Sequence, residues 1–343
     1  MHAYALAYMI LYIIVLLYIC VWLIKFLSRN PKARTLREFE ISSVTHTTLG
    51  LRGDMGNQFF QIAAVLACGH RDNAYALFPT RLRNLPIAEL CDLSSLNYRD
   101  VEPDASFREY DNYEDIVIPK DGRCYDIRGY RQAYAYFDDY ASSIRELLAP
   151  RQQLQESVRA HVPEHYIALH IRRGDYLDTV SSIPVLRQFK VCSLEYYRAA
   201  IMHLRSIYPE YAIVVCTDSP DWAASIISDL DDNISLARVI PGISPKLSDF
   251  TILYLADAVI MSNSTYSWWA CYLRPRAHII SPTPWWDPAG FIGTAMGLHG
   301  PYLHYPDWTL LDADSGALVP SNTIRDTDSE TLSVYKLVRG YAI

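Results

Sequence analysis

The stretch YIALHIRRGDYLD, from Tyr166 to Asp178, decides the fold that this sequence predicts. Its first residues, Tyr166 to Ile171, are mostly apolar and run directly into two adjacent arginines, Arg172 and Arg173. A short apolar run of this kind predicts a buried strand. A buried strand has no structural need for two cations at its end, so the pair indicates a negatively charged ligand at the strand's carboxyl end.

Strand-like and helix-like segments alternate from this stretch to the run AHIISPTPWW, which ends at Trp286. Such alternation predicts an α/β fold with a parallel sheet and helices on both faces, in which ligands bind beyond the carboxyl ends of the strands. Three polar clusters on that edge indicate a site more strongly than one cluster would. They are His170 with Arg172 and Arg173, Thr217 with Asp218, and the run of Ser262, Asn263, Ser264 and Thr265.

The two arginines suit a phosphate, because a guanidinium is planar, permanently charged and able to bind two oxygens at once. Neighbours on an extended segment point to opposite sides, so one of Arg172 and Arg173 is expected to face the ligand while the other braces the fold. The plainer alternative is a surface ion pair with Asp175 or Asp178.

The other two clusters also have two interpretations each. Ser264 and Thr265, at the predicted start of a helix, would form a second anion-binding element or a simple helix cap. Asp218, at a predicted strand end, could accept hydrogen bonds from a base or ribose, or only form a turn.

A glycine-rich segment, GLRGDMGNQFFQIAAVLACGHRDNAYALF, spans Gly50 to Phe78. It predicts a turn that opens a helix, followed by a short strand. Asn57 at this turn is expected either to aim its amide at a reacting centre or to cap the helix. Further helices are predicted over residues 141–161 and after Ser193, which has the residue type of an N-cap.

Composition excludes several classes of function. The chain has 31 basic and 38 acidic residues, a net charge of −7, which argues against general nucleic-acid binding. Neither a phosphate loop of the NTPase kind nor an intact GxGxxG occurs. There is no CxxC among the seven cysteines, so a structural zinc site is not expected. The acidic pairs Asp229/Asp231 and Asp312/Asp314 lie in polar stretches and are expected to be solvated, so no metal site is predicted.

The first residues predict a membrane anchor. Ala3 to Ile24 carry no charge, glycine or proline and would form a helix of about 33 Å, enough to cross a bilayer. A buried core helix or a cleaved signal peptide are the alternatives, but Lys25 to Arg29 make a poor cleavage site. The polar residues up to Thr47 predict a stem, and the length of 343 residues suggests two domains beyond it.

Three motifs together resemble a known family. HIRRGDY matches the HxRRxD motif of the fucosyltransferases that make α1,2- and α1,6-linkages and O-fucose. GLRGDMGNQFFQIAAVLA resembles the segment that opens the α1,2-fucosyltransferases of glycosyltransferase family 11, and SDFTILYLADAVIMSNSTYSWWACYL is similar to that family's third motif. The resemblance extends from about Gly50 to Trp286, and the region from Pro79 to His161 has no matching motif.

The resemblance implies a GT-B-like α/β fold of two Rossmann-like domains behind an N-terminal transmembrane helix. On this basis the chain divides into an anchor (3–24), a stem (25–47), an N-terminal acceptor-side domain (48–160), a GDP-fucose-binding domain (161–300) and a C-terminal segment (301–343).

The implied activity is the inverting transfer of L-fucose from GDP-L-fucose to the 2-hydroxyl of a terminal galactose, without a metal. An α1,6- or protein-O-fucosyltransferase and an inactive glycan-binding membrane protein are the alternatives. The resemblance implies catalytic roles for Arg172, Asn57 and Asp175, although Asp175 could instead lock the arginines. Donor binding is expected from His170, Arg173, Asp218, Ser264 and Thr265.

The sequence gives conflicting indications of the side of the membrane on which the catalytic domain lies. The resemblance implies a Golgi membrane protein with a lumenal catalytic domain, whereas the Lys and Arg residues after the span favour a cytosolic one. Two sequons, at Asn233 and Asn263, would be glycosylation acceptors in the lumen. Asn263 lies in the predicted phosphate site and is expected to be buried and unmodified.

Overall fold

The computed structural model describes residues 41–108, 113, 115–177, 189–276, 278–287, 289 and 301–320. These residues form two mainly parallel sheets with helices packed on them, and the alternation of segments from Tyr166 onward predicts one of the two. The predicted anchor at residues 3–24 and Asp178 lie outside the described residues. No helix within the described part of the chain is long and apolar enough to span a bilayer.

The first sheet has four parallel strands in the order β2-β1-β4-β3. They are β1 (Ser43–Thr45), β2 (Tyr75–Leu77), β3 (Ala105–Arg108) and β4 (Cys124–Arg128). Helix α1 (Met55–Asp72) joins β1 to β2, and the short helix α2 (Pro86–Leu90) follows.

The predicted stem (25–47) extends too far along the chain, because its last residues include the strand β1. Ser42, Val44, Thr45 and His46 are buried, although this stretch is polar. β1 lies between β2 and β4, which supply its backbone partners from distant parts of the chain. Asp126 accepts hydrogen bonds from the backbone amide and hydroxyl of Thr47. Such long-range pairing leaves no local pattern in the sequence.

The second sheet has seven strands in the order β11-β10-β9-β8-β5-β6-β7, all parallel except β11. Its strands are β5 (Tyr166–Ile171), β6 (Ala212–Thr217), β7 (Ile234–Leu236), β8 (Ala258–Ile260), β9 (His278–Thr283), β10 (Thr309–Asp312) and β11 (Leu318–Val319). The strands β10 and β11 come from the predicted C-terminal segment, so this sheet extends past residue 300.

Within the described ranges, six further helices pack on the sheets: α3 (Ala141–Leu148), α4 (Gln152–Arg159), α5 (Leu194–Arg205), α6 (Pro220–Ile226), α7 (Pro245–Leu255) and α8 (Thr265–Leu273). The helix predicted over residues 141–161 is two helices, because Pro150 has no N–H to continue the first. The predicted cap is confirmed at Ser193, whose hydroxyl accepts from the Tyr196 amide at 3.0 Å. Short 3₁₀ helices cover Thr80–Asn84, Tyr134–Tyr136, Asp138–Tyr140, Gly174–Leu177, Ile227–Asp229 and Pro301–Leu303.

The central strand β5 faces two different cores. Tyr166 and Ala168 belong to a core that also contains residues of the first sheet. Ile167, Leu169 and Ile171 belong to a second core with residues of α5 and α6. We call these the inner and outer faces of the second sheet. Because side chains alternate along a strand, His170 lies on the inner face.

We call each sheet with its helices one half of the molecule. Aromatic rings join the two halves across the inner face of the second sheet. Phe59 of α1 stacks on Trp269 of α8 with ring centroids 5.1 Å apart, and Phe60 lies 4.7 Å from Trp268. Gly56 makes this approach possible, because a Cβ there would stand 2.6 Å from the backbone nitrogen of Tyr266. Residues of both sheets therefore contribute to one continuous core.

Candidate active site

The carboxyl ends of strands from both sheets meet at one place. Asn57, which follows β1, accepts a hydrogen bond from Gln132, which follows β4, at 2.6 Å. The hydroxyl of Thr265, which follows β8 in the second sheet, lies 3.4 Å from the same Asn57 oxygen. The segment after β5 carries Arg172, whose charge lowers the pKa of Asp54 at the start of α1. Three of the predicted site residues are thus brought together between the two sheets.

Arg172 is held by two carboxylates through different nitrogens. Its Nη2 donates to Asp175 at 2.6 Å, and its Nη1 lies 2.9 Å from Asp218. Its guanidinium also lies over the ring of Tyr176, 5.2 Å from the centroid. This anchoring fixes a planar cation, one third exposed, on the side of the strand that faces the first sheet.

Arg173 points to the other side, as alternation along the strand predicts. Its guanidinium lies over the indole of Trp222 on α6, 3.8 Å from the ring centroid. Burial raises the pKa of Tyr197, a residue of the outer core, and the charge of Arg173 is close enough to oppose that rise. Arg173 therefore does not join Arg172 in the site, and the sequence-based expectation that it binds the donor finds no geometric support.

The Asp218 carboxylate contacts both arginines, each through a different oxygen. One carboxylate oxygen accepts from the backbone amide of Arg173 at 2.9 Å, and the other pairs with Arg172. A Cβ at Gly174 would stand 2.5 Å from the Asp218 carboxylate, so glycine is required for this close packing. These contacts place Asp218 and Asp175 as the groups that orient Arg172.

His170 is a neutral, buried polar group of the inner face. It is 5% exposed, and its Nδ1 lies 2.9 Å from the hydroxyl of Ser262. Burial and, to a smaller extent, the charge of Arg172 lower the pKa of His170 to about 3, although Asp218 acts in the opposite direction. The imidazole is therefore uncharged at any physiological pH and can offer one donor and one acceptor.

Asn57 is not the cap of α1, so that alternative is wrong. The cap is Asp54, whose carboxylate accepts from the Met55 amide at 2.8 Å. Asn57 lies in the first turn, and its Oδ1 receives the two donors from Gln132 and Thr265. Because both contacts hold the oxygen, the NH₂ group of Asn57 is the part of the amide left to donate to a ligand. Gln58 is buried.

The start of α8 combines a cap with a buried sequon. The Ser264 hydroxyl accepts from the Tyr266 amide at 3.4 Å, which confirms the capping interpretation of this residue. Asn263 is 1% exposed and donates to the Trp285 carbonyl at 3.0 Å, so its predicted burial is confirmed. Asn233, the other sequon, is exposed.

The sequence did not predict two residues of the site, Lys246 and Gln132, or one buried acid, Asp249. Lys246 on α7 pairs with Asp54 at 2.7 and 2.9 Å and links the second half to the start of α1. Burial alone would raise the pKa of Asp54, but the Lys246 hydrogen bond, the Met55 amide and Arg172 hold it below its usual value. Gln132 comes from the region without a motif. Asp249, whose pKa burial raises to about 7, lies in the quoted third motif, where a lone acid in an apolar run was the available signal.

The acidic pairs of the sequence have structural partners. Asp231 binds Arg205 with both oxygens, at 2.5 and 2.6 Å, and Asp312 accepts from the amides of Asp314 and Ser315. Among the described residues, no group of three or more His, Cys, Asp or Glu side chains is placed to hold a metal ion.

Comparison with known proteins gives matches of three kinds: a family model, sequence relatives and solved structures. The family model "Glycosyl transferase family 11" matches residues 33–291. An alpha-1,2-colitosyltransferase of Escherichia coli is 26% identical over 167 residues, which is 46% of this chain and 55% of that protein. Galactoside alpha-(1,2)-fucosyltransferase 2 of Mus musculus is 24% identical over 240 residues, 66% of this chain and 67% of that protein. A solved structure of NodZ alpha-1,6-fucosyltransferase soaked with GDP-fucose has a TM-score of 0.42, with 13% identity over 69% of this chain and 93% of that chain.

Proposed function

The chain belongs to glycosyl transferase family 11, and from this premise we propose that it transfers L-fucose from GDP-L-fucose to the 2-hydroxyl of a terminal galactose. That it is a glycosyltransferase follows from the family. The choice of donor and acceptor is supported by its similarity to a galactoside alpha-(1,2)-fucosyltransferase. The two-sheet arrangement, with strand ends of both sheets meeting at one site, supports a GT-B-like fold for this reaction.

The observation that carries the proposal is the placement of Arg172. Its guanidinium is fixed by Asp175 and Asp218, and its charge acts both on His170 of the inner face and on Asp54 at the start of α1. When the bond between fucose C1 and GDP breaks, its electron pair moves onto the β-phosphate oxygen. Arg172 stabilises the leaving group most when this charge has developed, so it lowers the barrier rather than only binding the substrate.

The remaining groups arrange the two substrates. The acceptor's hydroxyl oxygen forms the new bond to C1 on the face opposite GDP, which inverts the configuration, and its proton passes to solvent or to a base. Asn57 donates from its NH₂ group to an oxygen at the reacting centre. The Ser264 hydroxyl accepts a hydrogen bond as the cap of α8 but keeps its own hydrogen, which it donates to a phosphate oxygen together with the backbone amide of Thr265. His170 with Asp218 contacts the base or ribose.

Activity is tested by measuring GDP release and product formation from GDP-L-fucose with and without lactose. Release of GDP that depends on lactose, with a product that an α1,2-specific fucosidase cleaves, supports the proposal. Arg172→Ala is the inactive control. A product with an α1,6-linkage, fucose on a protein, or no product with any galactoside would overturn it. GDP-colitose is tested as a second donor, because one similar protein is a colitosyltransferase.

We also propose that transfer needs no divalent cation, because Arg172 supplies the positive charge that a metal would otherwise bring to the phosphates. Activity is expected to persist in excess EDTA. Complete loss on chelation, reversed by manganese, would overturn this proposal and point to Asp229 and Asp231.

The proposed location is the Golgi membrane, with residues 3–24 as the anchor and the sheets in the lumen. The exposed sequon at Asn233 provides a reporter, because glycosylation occurs only on the lumenal side. A glycosidase-sensitive mass that is lost in Asn233→Gln would support a lumenal domain. An unmodified Asn233 in a membrane-bound, active protein would favour the cytosolic orientation that the basic residues after the span suggest.

A further inference from the structure

The loop that follows β4 has a strained backbone. We call Gly129 to Gln132 the β4 loop. Gly129 has a φ of 118° and Arg131 has a φ of 54°. Such a conformation costs a non-glycine residue free energy and persists where the surroundings enforce it, often beside functional sites. Arg131 therefore needs buried contacts that hold it in place.

Those contacts are hydrogen bonds to residues in and around the first sheet. The Gly129 carbonyl accepts from the ring Nε2 of His46 at 2.7 Å and from Gln61 at 3.2 Å. Burial lowers the pKa of His46, so its ring is neutral and donates from this nitrogen. Arg131 is fully buried and donates to the Phe107 carbonyl at 2.7 Å and to the Tyr136 hydroxyl at 3.1 Å.

The other two residues of the loop point towards the candidate active site. Tyr130 is 43% exposed, so part of its ring is accessible to a ligand. A Cβ at Gly53 would stand 2.9 Å from the Tyr130 ring and 2.5 Å from the Asn57 amide nitrogen, so ring and amide lie side by side over this glycine. Gln132 donates to the Asn57 oxygen at 2.6 Å and so directs the Asn57 NH₂ group to the side where the ring lies.

We propose that Tyr130 is the stacking platform for the acceptor sugar and that Gln132 is a positioning residue that orients Asn57 towards it. This inference rests on the proposed function. A galactose ring with its axial 4-hydroxyl presents one continuous C–H face, which packs on an aromatic ring. Its hydroxyl oxygens then lie at the edge of the ring, where the Asn57 NH₂ donates. The rigid support of the β4 loop fixes this arrangement before the acceptor binds.

The first test separates acceptor binding from donor binding. Tyr130→Ala is expected to raise the KM for lactose about tenfold, the size of a lost ring contact, and to leave the KM for GDP-L-fucose within about twofold. Tyr130→Phe keeps the ring and is expected to retain the wild-type KM for lactose. Tyr75→Ala is the matched control, because Tyr75 is 56% exposed on β2 outside the site. An unchanged lactose KM in Tyr130→Ala, or a change in the donor KM alone, overturns the inference.

Gln132 is tested through kcat. Gln132→Leu removes the donor to Asn57, so kcat is expected to fall about tenfold while both KM values change less than threefold. Gln132→His, which can still donate, is expected to recover part of kcat. Equal kcat in Gln132→Leu and wild type would show that Gln132 does not orient Asn57.

A measurement on the wild type guards against variants that fail to fold. Saturation-transfer NMR of lactose is expected to give its strongest signals on the galactose C–H face, with the same pattern in Tyr130→Phe. Uniform signals over both sugars would contradict stacking. If the wild type transfers fucose to lactose but these tests fail, only the inference is lost. If it transfers to no galactoside, the proposed function itself is wrong.

Discussion

At the scale of single residues, the geometry of the Arg172 guanidinium is the first thing to test. A lysine keeps the charge but cannot hold Asp175 and Asp218 through two separate nitrogens while it faces a phosphate. Arg172→Lys is therefore expected to lower kcat by about a hundredfold or more while its circular dichroism stays unchanged. Arg173→Lys is the matched control and should cost much less, since Arg173 lies on the outer face. Near-normal turnover of Arg172→Lys would refute the assignment.

A substitution at Asn57 tests whether its amide acts as a donor in the reaction, separately from any effect on helix capping, because Asp54 is the cap. Asn57→Asp keeps an oxygen for Gln132 and Thr265 but replaces the NH₂ donor by an acceptor. We expect kcat to fall about a hundredfold, the cost of losing one preorganised donor. The free energy of unfolding should change little, because Asp54 is the cap. A folded Asn57→Asp with wild-type kcat would remove Asn57 from the reaction.

Asp249 predicts a dependence of stability on pH. Burial raises its pKa from the ordinary 3.8 to about 7. Between these values the unfolded chain ionises Asp249 and the folded chain does not, so this group's contribution to stability is full below pH 3.8 and is lost as pH rises towards 7. Asp249→Asn is expected to gain stability relative to the wild type across this window. Urea unfolding at several pH values measures the difference, and a constant difference would contradict the burial effect.

At the scale of secondary-structure elements, the crossing of α1 and α8 depends on Gly56. A Cβ there would stand 2.6 Å from the Thr265 carbonyl carbon, and backbone cannot give way as a flexible side chain can. Gly56→Ala is expected to cost about 1–3 kcal/mol of unfolding free energy and to lower kcat, because it pushes Asn57 away from Thr265. Ala64→Gly, at a buried position of the same helix, is the control for helix propensity. Gly56→Ala with wild-type stability would show that the helices can separate at no cost.

The sequence predicted the elements best where apolar runs are long. The strand before Arg172, the helix after Ser193 and the parallel order of the second sheet follow from local patterns. The strand β1 did not, because its polar residues are buried only when β2 and β4 surround them. The contact between Gln132 and Asn57 joins residues far apart in the chain, and a region without a motif gave no reason to expect it.

At the scale of the whole molecule, the shared aromatic core predicts that both sheets unfold together. Phe60 is fully buried and contacts Trp268 and Trp269 of the other half. Phe60→Ala is expected to cost about 3–5 kcal/mol and to lower the stability of both halves equally. Calorimetry should show one transition whose van't Hoff and calorimetric enthalpies agree. Two separate transitions would mean that each sheet folds as its own unit.

The close crossing at Gly56 also has a consequence for motion. Many proteins with two lobes, here the two sheets with their helices, move by bending at a hinge. Such a motion needs an interface between the lobes that can open by several ångströms. Here the backbones approach so closely that a Cβ on Gly56 would stand 2.6 Å from α8, and the rings of Phe59 and Phe60 would have to slide past those of Trp269 and Trp268. The lobes are therefore expected to keep their spacing through the reaction cycle. Small-angle X-ray scattering should give the same radius of gyration with and without GDP-L-fucose, so that substrates enter a cleft of constant width.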